Sequence, residues 1–220
     1  MMLRSLSLAL VVFAVGCADP QPAPEPAPAE PARLDTEPTA EADTAVFAGG
    51  CFWCMEPPYE KLDGVFSVVS GFAGGTTPDP TYDDVANGRT DHAEVVRVIY
   101  DPETVSYETL VEVFWHNIDP FAVDHQFCDR GAQYRSGIYY RNDEQERIAR
   151  ASLAALQARF DEEIATEIAP LDRFYPAEEV HQDFYRTNPD RYYSYRAGCG
   201  RDARLEAIWG EQAGIAGPLD

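Results

Sequence analysis

The stretch Val46-Phe47-Ala48-Gly49-Gly50-Cys51-Phe52-Trp53-Cys54-Met55-Glu56 constrains this chain more than any other. A short apolar run predicts a buried strand, two glycines break it, and two cysteines three residues apart follow with aromatics between them. Such a segment must run through a core and stop at a turn that carries two thiols. Three conditions for cysteine reactivity are suggested: glycines that allow close backbone approach, a possible helix start, and a second thiol nearby. Pro57 and Pro58 remove two backbone donors, so a helix here is kinked or starts after Cys51. On residue types alone, a buried structural cysteine pair is the alternative.

What precedes this segment reads as export machinery. Residues 1–16 carry Arg4, an apolar run from Leu6 to Val15 and then small residues, the pattern of a bacterial secretory signal too short to span a membrane. Ala14-Val15-Gly16-Cys17 resembles a lipobox, which predicts a lipid-modified Cys17; cleavage near Ala18 is the alternative. From Ala18 to Thr44 there are seven prolines, seven carboxylates and one arginine, a solvated tether. The expected organisation is a signal at 1–16, an anchor and linker at 17–44, and one folded domain at 45–220. The protein is expected to be exported and membrane-anchored through its lipid, facing the periplasm or cell exterior, and monomeric. A net charge of −21 repels phosphate backbones, so no nucleic-acid partner is expected. The domain holds Cys51, Cys54, Cys128 and Cys199, and at its size it needs no disulfide staples, which favours a redox role.

Further along, residues 64–72 read as a strand, and the polar stretch Thr76 to Asp91 as a long loop carrying Tyr82. Residues 93–100 form the clearest strand. Their alternation puts Glu94 on the face of Val96, Val98 and Tyr100, opposite Arg97, so a carboxyl is sent toward an apolar surface where burial raises its pKa. A strand-end glutamate reaching solvent is the alternative. Helices are predicted over 107–118, over 144–164 and from Pro176 to Phe184, and short strands over 137–140 and 167–171. Gly198-Cys199-Gly200 predicts a tail that can bend.

Gly50-Cys51-Phe52-Trp53, His92-Ala93-Glu94, Gly131-Ala132-Gln133-Tyr134-Arg135-Ser136-Gly137 and Glu179-Val180-His181-Gln182-Asp183 occur in this order. Together they resemble peptide methionine sulfoxide reductase A over roughly residues 45 to 210. The resemblance implies an α+β fold, a ferredoxin-like two-layer sandwich around a mixed sheet, and reduction of the S epimer of methionine sulfoxide in oxidised proteins or free. It implies Cys51 as nucleophile, Glu94 as acid, Phe52 and Trp53 as walls for the substrate methyl group, Tyr82 and Tyr134 as donors to the sulfoxide oxygen, and Asp129 as a pocket carboxylate. A thiol condenses with the Cys51 sulfenic acid, and a thioredoxin-like dithiol reductant restores the enzyme; no metal or organic cofactor is required. The expected order is that Cys54 resolves first and Cys199 exchanges with it, with Cys128 a bystander. Cys54, Asp91 and Cys128 depart from the family pattern, and Asp91 is expected to push the Glu94 pKa further up.

Two other readings compete. A thioredoxin-like oxidoreductase would use Cys51 and Cys54 but leaves Glu94 and Tyr134 idle; a zinc module would need Cys51, Cys54, Cys128 and Cys199 to converge. His92 and His181 are expected to order the site through hydrogen bonds, His116 to be surface or packing, and His125 to be a loop residue.

Overall fold

The computed structural model describes residues 42–214. The predicted signal, Cys17 and all but the last residues of the linker lie outside them. Strands β1 (Asp43–Gly49), β2 (Val65–Ala73), β3 (Ala93–Tyr100), β6 (Ser136–Tyr140), β7 (Glu167–Pro170) and β8 (Tyr175–Pro176) form one sheet in the order β7-β6-β1-β3-β2-β8. Every pairing is antiparallel except β6 with β7, so the sheet is mixed. Helix α1 (Glu56–Glu60) links β1 to β2, and α3 (Tyr107–His116) links β3 to β6. This is the split β-α-β of a ferredoxin-like, two-layer α+β fold.

Period-two alternation decides which face is buried against helices. Phe47 of β1 lies opposite Val96 on one side and Ile138 on the other. All three are fully buried and pack with Tyr59, Leu110 and Phe114 of the helices. The Phe47 ring stacks at 5.2 Å on Tyr59 and 5.5 Å on Phe114. Val46, Ala48, Val95 and Tyr139 face the other way, against Leu171 and Phe174. Side-chain caps start the helices: Ser106 accepts from Thr109 N before α3, and Asn142 accepts from Gln145 N before α4 (Asp143–Gln157).

Most predicted spans hold to within two residues, and three differ by more. α4 ends at Gln157 rather than at Ile164, because the Gln157 side chain accepts from Ile164 N and donates to Phe160 O and Glu162 O, knotting the chain into a turn. Phe160 and Ile164 still pack on the core. No continuous helix starts at Pro176: a 3₁₀ turn spans Glu179–His181, and α5 (Phe184–Thr187) follows a left-handed Asp183. The Gln182 side chain is the cause, since it accepts from Ser70 N and donates to Ser70 O and so ties this segment to β2. The loop at 76–91 contains a helical turn, α2 (Tyr82–Ala86), capped by Thr81. After α5 come α6 (Pro189–Gly198) and α7 (Arg201–Trp209).

Candidate active site

β1 delivers the chain from the sheet into a turn at Gly50, whose φ of +81° and 2.5 Å clearance to Gln126 Cβ admit no side chain. Cys51 then heads a 3₁₀ turn over Phe52–Cys54, with Cys54 N donating to Cys51 O at 3.0 Å. The turn's free amide is used locally: Phe52 N donates to Glu94 Oε2 at 3.1 Å. A helix terminus aimed at the Cys51 thiol is therefore not what this turn offers; α1 begins only at Glu56, in front of the two prolines.

Glu94 is 2% exposed, and burial pushes its carboxyl up to about 8 against the pull of the Phe52 hydrogen bond, with the charges of Asp129 and Cys54 adding to the rise. A neutral carboxylic acid thus stands beside the thiols at neutral pH. Asp91 contributes nothing to this, contrary to expectation. Its carboxylate accepts from Thr76 and Thr77, which hold it well below the usual carboxylate range.

The two thiols are hydrogen-bonded and share one early ionisation. Cys54 is lowered to about 6 because Cys51 donates to it, with Arg201 and Arg196 adding positive charge against the effect of burial. Burial keeps the remaining proton on Cys51, whose thiol lies well above the ordinary range, and the bond to Cys54 and the charge of Glu94 reinforce this. The pair is one thiol and one thiolate at neutral pH.

Aromatic rings wall the site. Phe52 lies 6.3 Å from Tyr82 and 5.6 Å from His181, and His181 stacks on Tyr82 at 4.0 Å. Trp53 stacks on Phe184 at 3.7 Å and meets the edge of Tyr195 at 6.0 Å. Burial, then the charge of Glu94, pushes Tyr82 up to about 12 and Tyr134 higher still, so both hydroxyls remain donors. Asp129 is raised by burial, while the Tyr195 hydroxyl, which donates to its Oδ2, opposes the rise. Of the two histidines expected to order the site by hydrogen bonds, His92 does so: it accepts from Gly75 N at 3.2 Å and bonds Thr77 O at 2.7 Å. His181 acts by stacking instead, its Nδ1 buried without a partner. His116 packs inside, edge-on to Trp209, and His125 pairs with Arg130 in the short hairpin of β4 (His125–Gln126) and β5 (Asp129–Arg130).

The other two cysteines do not join this cluster. Cys128 and Cys199 form a disulfide with Cα atoms 4.9 Å apart, so Cys128 is no bystander, and the four cysteines do not converge on one zinc site. Cys199 is bonded to Cys128, and both sulfurs lie within 4.8 Å of a carboxylate oxygen of Asp129.

The family model "Peptide methionine sulfoxide reductase" matches residues 43–213. The chain belongs to this family. Among its relatives, the peptide methionine sulfoxide reductase MsrA of Streptococcus agalactiae serotype III is 52% identical over 169 residues, 76% of this chain and 99% of the relative. That of Halalkalibacterium halodurans is 48% identical over 171 residues, 77% and 97% of the two chains. Among solved structures, methionine sulfoxide reductase A of Corynebacterium diphtheriae superposes with a TM-score of 0.65 at 36% identity, covering 72% of this chain and 81% of that one. The reduced form of Mxr1 from Saccharomyces cerevisiae gives 0.64 at 34% identity, covering 68% and 87%. Membership sets aside the thioredoxin-like reading of Cys51 and Cys54.

Within the family frame, two residues of the site had no signal in the sequence. Tyr195 sits mid-helix among other tyrosines, and only the fold shows that its hydroxyl reaches Asp129. Glu56 follows the cysteine turn, fully buried, where Ser70 Oγ and Asp183 N donate to its Oε1 at 2.8 and 3.4 Å. Through Asp183 it anchors the segment that presents His181 to the pocket.

Proposed function

We propose that this protein reduces the S epimer of methionine sulfoxide in oxidised proteins, and the free amino acid as well, through a Cys51 sulfenic acid. The single observation that carries the reading is a carboxyl, Glu94, 2% exposed and bonded at 3.1 Å to the amide of Phe52 inside the Cys51–Cys54 turn, where burial favours its neutral form. A sulfoxide oxygen leaves only when protonated. The Cys51 thiolate attacks sulfur, Glu94 gives its proton to the oxygen, and Tyr82 and Tyr134 donate hydrogen bonds to that oxygen as its charge grows. In the resulting adduct the hydroxyl passes from the substrate sulfur to the Cys51 sulfur as the S–O bond and the transient Cys51–substrate S–S bond break; methionine leaves with a lone pair restored on its sulfur, and Cys51 is oxidised to a sulfenic acid. Cys54, already hydrogen-bonded to Cys51, attacks that sulfur and expels water, leaving a Cys51–Cys54 disulfide. An external thioredoxin-like dithiol supplies two electrons to reopen it, either directly or after exchange with Cys199 once the exposed Cys128–Cys199 bond has been reduced. All electrons pass through sulfur, so the cycle needs no metal or organic cofactor. One chain holds every group the cycle uses, which fits a monomer.

The apolar leader, the lipobox-like Ala14-Val15-Gly16-Cys17 and the proline-rich tether support a lipoprotein whose catalytic domain works outside the cytoplasm, at a membrane. A native N-terminus at lipidated Cys17 by mass spectrometry agrees with this; an unmodified chain starting near Ala18 contradicts the anchor. The activity itself is tested by steady-state assay of both sulfoxide epimers with a dithiol reductant. Turnover of the S epimer alone is expected. Equal turnover of the R epimer, or insulin disulfide reduction without sulfoxide reduction, would overturn the reading.

A further inference from the structure

Arg201 is the largest fully buried side chain among the described residues, 2% exposed, at the first position of the nine-residue helix α7. Its Nη2 donates to Asn117 O at 2.7 Å, to Met55 Sδ at 3.2 Å and to Gly49 O at 3.3 Å, and the guanidinium lies 4.4 Å over the Phe127 ring. Every one of these acceptors is neutral, and its Nε has no partner. The neighbouring arginines differ: Arg196 pairs with Asp202, and Arg204 pairs with Asp119 at 2.6 Å. Among the described residues, no carboxylate forms an ion pair with Arg201. A buried cation without an anion costs several kcal/mol, and the positive end of a helix adds to that cost.

The groups it touches indicate where the missing charge lies. Gly49 and Met55 bracket the cysteine turn on either side, so Arg201 clamps the backbone that carries Cys51 and Cys54. We propose that Arg201 is the counter-charge of this cysteine pair, holding it as a buried thiolate and so setting the lower pH limit of sulfoxide reduction. The proposal rests on the reading of Cys51 as nucleophile and adds to it a positioning residue on α7. The other charged or titratable groups facing the pair are Glu94 of β3, Tyr82 of α2, Asp129 of β5, Tyr134 of the turn before β6, and Tyr192, Tyr195 and Arg196 of α6. Asp129 is the rival partner for Arg201, because the same guanidinium opposes the rise of its pKa. The experiment must separate the two.

The full chain, with the Cys128–Cys199 bond intact, is alkylated with iodoacetamide from pH 4.5 to 9.5, and rates at Cys51 and Cys54 are resolved by peptide mass spectrometry. In the wild type the more reactive thiol should titrate near pH 6, where Cys54 ionises. Arg201→Gln should raise that midpoint by about one to three units, the range for losing an adjacent opposite charge, while Arg201→Lys stays with the wild type. A folded Arg201→Gln protein with the wild-type midpoint would overturn the proposal. So would an Asp129→Asn background in which Arg201→Gln no longer moves it, since Arg201 would then act through Asp129 alone. If Arg201→Gln does not fold, the melting temperatures of wild type and Cys54→Ser are compared instead. A group whose folded pKa is depressed adds stability above that pKa and loses it as pH falls through it. The gap between the two proteins should widen from pH 5 to 8, and a constant gap would overturn the proposal. A wild type that alkylates as expected but reduces no sulfoxide would refute the functional reading and leave standing Arg201 as the counter-charge of the pair.

Discussion

Replacing Glu94 by Gln removes a proton and almost nothing else. The amide oxygen of Gln can still accept from Phe52 N, the bond that holds the cysteine turn to β3, so the fold should survive. Activity should not. With its carboxyl pushed up to about 8 by burial, Glu94 is mostly protonated at pH 7 and carries the acid. A lost general acid typically slows a reaction by two to four orders of magnitude, and the variant's first-turnover rate should fall by about that factor. The pH profile gives a second reading. Wild-type rate should rise through about 6 as the Cys51–Cys54 pair gains its charge and fall above about 8 as Glu94 loses its proton. In Glu94→Gln the rise should remain and the fall should vanish. Rapid-quench measurement of methionine formed from the S-sulfoxide at five or more pH values checks both. A loss below threefold, or a descending limb near pH 8 that persists in the variant, would refute the assignment.

Other expectations follow from neighbouring contacts. Cys54→Ser should still form about one methionine per protein in the first turnover but stall afterwards with a dithiol reductant, and its ascending pH limb should move above pH 6 because the partner that shares the charge is gone; normal multiple turnover would contradict Cys54 as resolving thiol. Tyr195→Phe removes the donor to Asp129, a hydrogen bond to a charged group worth about 1.5–3 kcal/mol, and should weaken substrate binding by roughly tenfold or more in KM with little change in kcat; an unchanged KM would remove Asp129 from the pocket. Glu56→Ala orphans Ser70 Oγ and Asp183 N and should destabilise the chain by about 1–3 kcal/mol for each group left unpaired, seen in urea unfolding, whereas Glu56→Gln should recover much of it. Because burial raises Glu56 from the ordinary 4.5 to about 8, the folded chain holds a proton that the unfolded chain has lost, so the wild-type advantage over Glu56→Ala should be largest below about pH 4.5 and shrink as pH rises to about 8.

The sequence made legible those features that arise from local periodicity. Alternation over 93–100 gave the strand and the face on which Glu94 sits, and the prolines at 57 and 58 fixed where the helix after the cysteine turn could start. What it hid depends on contacts across long separations. Cys128 and Cys199 are 71 residues apart, and nothing at either position announces the other. The helix expected from Pro176 lost to Gln182, whose hydrogen bonds to β2 outweigh a local preference that a charged, helix-compatible string had suggested. Asp91 lies three residues from Glu94 in sequence, yet Thr76 and Thr77 draw its carboxylate to the other side of the loop. Arg201, one of three arginines within nine residues, looks like surface charge until the fold places it beneath the cysteines.

The most direct test of the central claim uses no reductant. The purified protein, with Cys51 and Cys54 reduced, is mixed with excess methionine S-sulfoxide, and methionine released per chain is counted while disulfides are mapped by peptide mass spectrometry. The account predicts close to one methionine per chain, a Cys51–Cys54 bond appearing with it, and no release from Cys51→Ser. Methionine released at the wild-type level by Cys51→Ser would contradict it.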